Sequence, residues 1–368
     1  MKILHFIYDH PKNPWCGGGG AIRTWKINTF LAQRGHVITV CCGAFQGCST
    51  LEHNDPFQVQ FMGPETKHYK LSRLFFSVLS SLRPKRGYDV ICEDFSAYSP
   101  VYFPVCPDNL VTILHLYFGK QAFALNGHLG SIAFVNEKLF LPWKKKVILV
   151  SPHLKKAVSA RAVTTVIGQG VDIPENLSKP TEEFVLYVGR FDIYIKGIDI
   201  LIKAWSKVEK YFPDITLKII GGGDIQGVKR LVAGLGAKNV ELTGRLPHTK
   251  VIEEMNKAFF LVMPSRIEGL PLTACEALRL GKPVITSDID AFSFLDGEET
   301  KSVKWGITVP VGDVNALQKA IKLMLERQDL RLTAGEEAKR IGQTFSWKKI
   351  ADAHEKFYQE IMDNRCSA

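Results

Sequence analysis

The chain has 368 residues, of which 46% are hydrophobic and 23% are charged. This composition is ordinary for a globular protein and excludes global disorder, which requires low hydrophobicity together with high net charge. Lys and Arg number 47 against 37 Asp and Glu, so the net charge is +10. The length predicts about two domains of ordinary size.

The excess of positive charge lies in the first half of the chain. Residues 1–177 contain 19 basic and 11 acidic residues, whereas residues 178–368 contain 28 and 26. A basic half indicates an anionic partner: phosphate, nucleic acid or a membrane surface. Aromatic residues lie among the cations at 67–76 and 143–146, which favours an anionic membrane surface over nucleic acid. A solvated basic surface remains the alternative.

The cysteines and the first apolar run lead us to expect a reducing compartment. None of the eight cysteines forms a C-x-x-C pair, so the common zinc and thioredoxin motifs are absent. No run of 18 apolar residues occurs, and the first apolar run is too short for a signal peptide. We therefore expect a cytoplasmic protein, with peripheral attachment to the inner face of the cell membrane as a further expectation.

The predicted elements of the first half alternate between strand and helix. A buried strand over 2–8 leads into the glycine run 17–20 and then a helix over 21–34. The further predicted strands are 37–42, 57–62, 88–92, 110–114, 147–150 and 163–167. Short apolar runs that alternate with helical stretches indicate parallel βαβ units.

The same pattern restarts after a polar, proline-containing linker at 173–183. Predicted strands are 184–188, 215–220, 239–242, 259–263, 283–286 and 306–309, and predicted helices are 197–211, 225–235, 249–257, 271–280, 313–327 and 346–363. The fold class we expect is α/β, with two Rossmann-like doubly wound domains that face a central cleft. The expected boundaries are 1–174, 175–345 and a C-terminal helical segment, 346–368.

One group of candidate ligand-binding residues lies in the segment 264–278. A strand ends at Pro264, a loop carries Glu268 and Gly269, and a helix with Glu276 follows. The first turn of a helix offers free backbone N–H groups and the positive end of the dipole, which together favour an anion. Taken alone, a pair of surface glutamates at an ordinary helix start would also explain this segment.

A second group of candidate residues follows the strand at 184–188. Gly189 and Arg190 end the strand, and Lys196 and Gly197 precede the next helix. Two cations at the carboxyl end of a parallel strand suit a diphosphate, whose charge they can neutralise without a metal. Two exposed basic loop residues are the structural alternative.

Six segments in order resemble the motifs of retaining GT-B glycosyltransferases of glycosyltransferase family 4. They are the glycine run 17–20 with 31–37, the segments 168–172, 189–197, 221–224 and 243–245, and the pair Glu268 and Glu276. The segment from Trp347 resembles the final helix of that family, which crosses back to the first domain. The resemblance covers nearly the whole chain and implies the GT-B fold.

The resemblance implies a role for each matching residue. Arg190 and Lys196 would hold the donor diphosphate, and Glu268 would lie beside the transferred sugar. Glu276 would bind the ribose hydroxyls of the nucleotide. His115, at a predicted strand end, matches a family histidine that faces the sugar, although a hydrogen-bonded structural histidine would fit the same position.

The remaining implied donor contacts are made by glycines and backbone groups. Glycines in the first loop would allow close approach to the sugar and phosphates, amides after Gly269 would complete the phosphate site, and backbone groups near Arg245 would read the base. These residues are Gly18, Gly19, Gly189, Arg245, Leu246, Gly269, Leu270, Leu272 and Thr273.

Some features of the sequence depart from the family pattern or suggest other classes. The segment after residue 287 lacks the usual glycines and Glu, and 191–195 is bulkier than usual. Residues 288–290 spell D-x-D, a metal signature of a different glycosyltransferase fold, which we interpret here as a loop coincidence. A dinucleotide fingerprint G-x-G-x-x-G fails, because Ile22 and Arg23 occupy the third glycine position.

The sequence therefore predicts a metal-independent retaining hexosyltransferase. Its donor would be a nucleoside-diphosphate sugar, a UDP- or GDP-hexose, and no cofactor or metal is expected. The acceptor would be a hydroxyl of a glycan or lipid-linked acceptor, in lipid-linked glycan, lipopolysaccharide or other cell-surface polysaccharide biosynthesis. The alternatives are a glycosyltransferase with a soluble acceptor (a sugar phosphate, a sucrose-type acceptor or a small molecule) and a noncatalytic nucleotide-sugar-binding protein.

Overall fold

The structure is a computed structural model that describes the chain except residues 17, 52–54, 104–105, 121, 124–126, 128–129, 175, 180, 270, 297–304 and 367–368. The chain divides into two compact units. The first unit comprises Met1–Gly170 and Trp347–Ala368, and the second comprises Val171–Ser346. Each unit contains one parallel sheet, which confirms the predicted pair of Rossmann-like doubly wound domains.

The described strands of the first unit form a seven-stranded sheet in the order β3-β2-β1-β4-β5-β6-β7. The strands are β1 (Lys2–Phe6), β2 (Val37–Gly43), β3 (Gln58–Met62), β4 (Val90–Asp94), β5 (Leu110–Leu114), β6 (Lys146–Leu149) and β7 (Val163–Val166). The helices described between them are α1 (Gly19–Gln33), α2 (Tyr69–Leu82) and α3 (Gly130–Phe140). All neighbouring strands pair in parallel, so their carboxyl ends lie at one edge of the sheet.

The described strands of the second unit form a six-stranded parallel sheet in the order β10-β9-β8-β11-β12-β13. The strands are β8 (Phe184–Val188), β9 (Thr216–Ile220), β10 (Val240–Gly244), β11 (Ala258–Met263), β12 (Val284–Ser287) and β13 (Gly306–Val309). The helices are α4 (Ile198–Val208), α5 (Ile225–Gly234), α6 (His248–Lys257), α7 (Leu272–Arg279), α8 (Val314–Glu326) and α9 (Gln328–Gly342).

Helices cover both faces of this second sheet, so its central strands are buried on both sides. Leu186 and Leu261, on adjacent strands, are both fully buried, and so is Trp205 on α4. The indole Nε1 of Trp205 donates a hydrogen bond to the backbone carbonyl of Asn239 at 3.0 Å. Continuous apolar runs rather than alternating patterns are therefore expected for these strands, as the sequence shows.

The last helix, α10 (Trp347–Cys366), belongs to the first unit. Arg34, just after α1, forms ion pairs with Asp352 and Glu355 of α10. The buried guanidinium of Arg23 donates to the carbonyls of Ile167 and Gly168 at 2.8 and 3.1 Å. A second contact of this guanidinium reaches His354 of α10 at 2.9 Å. Burial lowers the pKa of Arg23 to about 10, although the negative charge of Asp94 opposes this shift.

Three described helices lie outside the predicted set: α2, α3 and α9. In α2 the buried positions include Ser72, Ser77 and Ser80, while Leu74 and Leu82 are exposed. In α3, likewise, Asn136 and Glu137 are buried beside Ala133, while apolar residues of the opposite side face solvent. A helix prediction from an inward apolar stripe fails on such helices, because buried polar residues interrupt the stripe and apolar residues also lie on the exposed side.

Candidate functional site

Each sheet has one point at which the order of strand connections reverses. In the second unit this switch point lies between β8 and β11, and in the first unit it lies between β1 and β4. Open parallel sheets bind ligands outside the carboxyl ends of their strands at such a point.

The loops after β8 and β11 bring Lys196 and Glu268 together in the second unit. Lys196 Nζ donates to Glu268 Oε1 at 2.7 Å, and Ser265 Oγ donates to the same oxygen at 2.8 Å. The side chain of Glu268 is 8% exposed and that of Lys196 is 19% exposed. Arg190, which follows β8 directly, is exposed. The structure thus provides one paired cation and one solvent-facing cation at the same switch point.

A set of contacts between the same two loops holds this pair in place. Arg266 forms a bidentate ion pair with Asp199 of α4, with both contacts at 2.8 Å, and its backbone N–H donates to the carbonyl of Ile195 at 2.8 Å. Gly197 has φ +66°, and a Cβ there would lie 2.0 Å from the carbonyl oxygen of Pro264. Only glycine allows this approach of the two backbones, which positions Lys196 opposite Glu268.

The N-terminus of α7 lies directly after Gly269. The N–H groups of Ala274 and Cys275 bond to the carbonyl of Pro271, so those of Leu272 and Thr273 are the first-turn donors that point away from the helix. Leu270, predicted as a third donor, lies outside the described residues. The positive end of the α7 dipole therefore faces the loop that carries Glu268.

Glu276, one turn inside α7, has a partner that sequence reasoning missed. Its carboxylate is buried, and Oε1 lies 2.7 Å from His248 Nε2 at the N-terminus of α6. Arg245 and Leu246 precede this helix and follow β10, so they lie at the same sheet edge. The position of His248, just after a strand end, is the sequence signal that could have indicated it.

The other predicted residues of this unit occupy strand ends as well. Gly189 directly follows β8, and a Cβ there would lie 2.7 Å from the hydroxyl of Tyr187. Asp288 and Asp290 follow β12, and the backbone N–H of Asp288 donates to the carbonyl of Val309 at 2.7 Å. In the part of the chain that the structure describes, no group of three or more His, Cys, Asp or Glu side chains could hold a metal ion.

In the first unit, His115 follows β5 and contacts a carboxylate at the end of β4. His115 Nε2 lies 2.6 Å from Asp94 Oδ1, and His5 Nε2 of β1 lies 3.1 Å from Asp94 Oδ2. Thr24 Oγ1 of α1 donates to the same Oδ2 at 2.7 Å. Three adjacent strands and one helix thus converge on Asp94, a residue that sequence reasoning missed.

The electrostatics of this cluster favour an ionised Asp94. Burial opposes ionisation, but the imidazoles of His115 and His5 outweigh it and hold the pKa of Asp94 well below its usual range. Asp94 could have been found by the signal that indicated His115, because both are polar residues at the end of an apolar strand. The ring of His115 is thereby fixed through Nε2.

The glycine loop lies beside the other edge of the His115 ring. A Cβ at Gly20 would lie 3.9 Å from His115 Cε1 and Nδ1, in ordinary contact. Gly18 caps α1 and Gly19 is its first residue, and both are exposed. Gly17 lies outside the described residues. The predicted residues Gly18, Gly19 and His115 therefore belong to one edge of the first sheet.

Comparison with known proteins shows that this chain is similar to glycosyltransferases. Residues 169–341 match the family model for glycosyl transferases group 1. The chain is 31% identical over 225 residues to an uncharacterized glycosyltransferase of Methanocaldococcus jannaschii, over 59% of this chain. It is 29% identical over 238 residues to a phosphatidyl-myo-inositol mannosyltransferase of Mycobacterium leprae, over 60% of this chain. These alignments span 60% and 61% of the two relatives.

Solved structures show the same fold over the whole chain. Sucrose-phosphate synthase from Thermosynechococcus elongatus superposes with a TM-score of 0.77 at 22% identity, over 99% of both chains. HepE of Anabaena in complex with UDP-glucose superposes with a TM-score of 0.73 at 20% identity, over the full length of both chains. The fold is that of GT-B glycosyltransferases. The match to the family model for glycosyl transferases group 1 covers residues 169–341, less than half of the chain, and agrees with the resemblance that the sequence motifs indicated.

We expect Asp94→Asn to make the first unit less sensitive to acid. The depressed pKa of Asp94 means that its ionised form stabilises the native state above the unfolded pKa of about 4, and that this stability is lost as the pH falls towards the native pKa. The variant should lose about 2 kcal/mol at pH 7. Between pH 5 and pH 3 its stability should fall less than that of the wild type, as measured by urea unfolding.

The control for this experiment is Asp108→Asn in the same unit. Asp108 forms an exposed ion pair with Lys145, which contributes little. This variant should follow the wild-type pH profile. Identical profiles for Asp94→Asn and the wild type would contradict an ionised Asp94.

Proposed function

We propose that this protein transfers a hexose, with retention of anomeric configuration, from a nucleoside-diphosphate sugar to an acceptor hydroxyl. The observation that carries the proposal is the switch point of the second unit. Arg190, the Lys196–Glu268 pair, the first turn of α7 and Glu276 all lie at the carboxyl ends of adjacent strands. This set of groups matches the chemistry of a donor: anionic phosphates, a ribose diol and a sugar.

In the proposed complex the diphosphate lies against Arg190, Lys196 and the amides of Leu272 and Thr273. Cations and oriented amides stabilise the negative charge that develops on a departing diphosphate. The structural neighbour HepE is described in complex with UDP-glucose, which supports a nucleotide-sugar donor. The small residues Gly18, Gly19, Gly189 and Gly269 leave room for phosphates and sugar to approach the backbone.

The two carboxylates are assigned to different parts of the donor. Glu276 accepts hydrogen bonds from the ribose hydroxyls and exchanges its present contact with His248 for them. Glu268, fixed by Lys196 and Ser265, accepts hydrogen bonds from the transferred sugar. Backbone groups near Arg245 and Leu246 contact the base.

In the proposed reaction one bond forms, one bond breaks and one proton is transferred. The acceptor oxygen bonds to the anomeric carbon on the face from which the diphosphate leaves, and the bond between that carbon and the phosphate oxygen breaks. The electron pair goes to the diphosphate, where Arg190 and Lys196 stabilise it, and the acceptor proton passes to the departing phosphate. His115, oriented by Asp94, contacts the transferred sugar.

For the acceptor we propose a lipid-linked glycan or another precursor of a cell-surface polysaccharide, handled at the inner face of the cell membrane. The name of the mycobacterial relative, a phosphatidyl-myo-inositol mannosyltransferase, supports a lipid acceptor. The structure of sucrose-phosphate synthase supports the alternative of a soluble acceptor. Among the described residues no helix is long and apolar enough to cross a bilayer.

Arg190→Ala and Lys196→Ala are each expected to lower kcat about 10²- to 10³-fold, because each removes one preorganised charge from the leaving diphosphate. The donor is first chosen from UDP-, GDP- and ADP-sugars by thermal shift, and turnover is then measured as nucleotide release. Lys203→Ala, an exposed cation on α4, is the control and should keep wild-type turnover. Full activity in either test variant would contradict the diphosphate assignment, and binding of a donor without turnover would favour the noncatalytic alternative.

Glu276→Gln should weaken binding of the sugar-free nucleoside diphosphate about tenfold, because a carboxylate accepts hydrogen bonds from hydroxyls more strongly than an amide does. Glu268→Gln should weaken binding of the sugar donor and leave the sugar-free nucleotide nearly unchanged. Calorimetry with both ligands measures the two effects. The opposite order would reverse the two assignments.

Turnover is expected to survive EDTA. The proposed site neutralises the diphosphate with Arg190, Lys196 and the α7 dipole, so a divalent cation is not required for charge compensation. The measurement is nucleotide release in EDTA and after addition of Mn²⁺ or Mg²⁺. Loss of activity in EDTA that either metal restores would assign a metal to the site and point to Asp288 and Asp290.

A further inference from the structure

Helices α2 and α3 of the first unit present apolar side chains to solvent. Leu74 and Leu82 are 58% and 75% exposed, and Leu139 is 56% exposed. The outward residues recur at helical spacing, so each helix has one continuous apolar stripe. We call the two stripes together the apolar face; it consists of Leu71, Leu74, Val78 and Leu82 on α2 and Ile132, Val135 and Leu139 on α3.

The inward sides of the same helices carry hydrogen-bonded polar groups beside the buried Phe76 of α2 and Ala133 of α3. Ser72 Oγ donates to the carbonyl of Ala44, and Ser77 Oγ donates to the carbonyl of Pro100, each at 2.5 Å. Asn136 Nδ2 donates to the carbonyl of Ala97 at 2.8 Å. Both carboxylate oxygens of Glu137 accept backbone N–H groups at 2.8 Å. These bonds fix the rotation of each helix, so the apolar stripes cannot turn inward without breaking them.

The two stripes lie on one side of the first unit. The segment 97–103 bonds to α2 through Ser77 and Ser81 and to α3 through Asn136. The rings of Tyr102 and Phe140 also contact each other, with centroids 5.0 Å apart. Both helices precede strands added in the same direction along the sheet, and right-handed connections place such helices on the same face.

The exposed charges around the apolar face are mostly basic, and Asp108, ion-paired with Lys145, is an exposed acid beside them. Residues 67–86 contain no Asp or Glu, and Glu137, the one acid in 127–146, is buried. The exposed cations are Lys67, Lys70, Arg86, Lys138 and Lys145. Two cations that the sequence suggested for this surface have other roles. Lys144 is buried and ion-paired with Glu93, and Arg73 lies over the rings of Tyr8 and Tyr69 at 4.6 and 4.7 Å.

A cavity of about 310 Å³ opens beside the end of α3. It is lined by Phe103, Cys106, Leu139, Phe140, Trp143 and Lys144. The ammonium of Lys144 is paired with the carboxylate of Glu93, so an uncharged, apolar ligand suits the cavity. Trp143 is 76% exposed at its rim and Leu139 belongs to both the cavity and the apolar face.

We propose that the apolar face docks into the acyl region of an anionic bilayer and that the cavity receives one lipid acyl chain. Exposed apolar stripes with a basic rim and an interfacial tryptophan suit an anionic lipid surface. A second copy of this chain suits it less, because a symmetric pairing would set the basic rim against itself. This inference adds to the proposed function the surface at which the protein would reach a lipid-linked acceptor. It rests on the proposed function only for the identity of that acceptor.

The test uses the whole protein and vesicles without any sugar donor. Phosphatidylglycerol with bromine on its acyl chains is compared with brominated phosphatidylcholine of the same chain length. Trp143 fluorescence, taken as the difference between the wild type and Trp143→Phe, should be quenched by phosphatidylglycerol alone. Alkylation of Cys106 by N-ethylmaleimide, mapped by mass spectrometry, should slow when these vesicles are present.

Matched variants separate insertion from surface attraction. Leu74→Asp and Leu139→Asp should each weaken sedimentation with phosphatidylglycerol vesicles about tenfold or more, the value of one buried leucine side chain. Leu332→Asp on α9 of the second unit, 60% exposed, should leave it unchanged. All three positions face solvent, so the substitutions should not unfold the protein.

The outcomes distinguish the occupants of this face. Sedimentation without Trp143 quenching or Cys106 protection, or without sensitivity to the two Asp variants, would overturn insertion. Equal quenching by both lipids would overturn the requirement for anionic charge. A dimer in lipid-free solution that Leu74→Asp dissociates would assign the face to a second copy. Because no sugar nucleotide is present, failure here leaves the donor assignment intact, and failure of donor turnover leaves lipid docking intact.

Discussion

The arrangement of this protein depends on one constraint: every neighbouring pair of described strands in both sheets runs parallel. The residues that follow parallel strands all lie at one edge of the sheet. Where the order of strand connections reverses, the adjacent loops separate and leave a crevice at that edge. In the second unit the edge gathers Arg190, Lys196, Glu268 and the N-terminus of α7. In the first unit it gathers His5, Asp94 and His115. Residues far apart in the chain become neighbours through topology alone.

At the carboxyl edge of each sheet a buried carboxylate is paired with basic and hydroxyl side chains. The carboxylate of Glu268, which is 8% exposed, is paired with Lys196 and accepts a hydrogen bond from Ser265 on the same oxygen. Asp94 is more deeply buried and has two imidazoles and a hydroxyl around it. Pairing fixes the rotamers of the groups concerned, which is the property a binding site needs before its ligand arrives. The backbone contact at Gly197 extends this rigidity to the loops themselves.

The first unit departs from the usual distribution of apolar residues, with consequences for prediction. An ordinary amphipathic helix has a continuous inward apolar stripe, whereas the buried positions of α2 and α3 combine Phe76 and Ala133 with three serines, an asparagine and a glutamate. Those polar groups bond to backbone atoms of segments that are distant in sequence, so no local pattern reveals them. The same helices present leucines to solvent. The basic residues of the unit surround these leucines, an arrangement that composition alone does not give.

The sequence alone determined the parallel α/β class, all the described strands to within a few residues, and the candidate residues at the strand ends. It could do so because buried parallel strands are continuous apolar runs and because their polar continuations mark the sheet edge. The tertiary structure alone decided the partners: His248 beside Glu276, Asp94 beside His115, and Glu93 beside Lys144. The two residues of each pair are 21 to 51 positions apart in the sequence and lie on separate elements. Only the packed fold therefore sets the distance between their side chains. Packing also decides whether a cation faces solvent or a buried carboxylate. The amino-acid composition does not predict this.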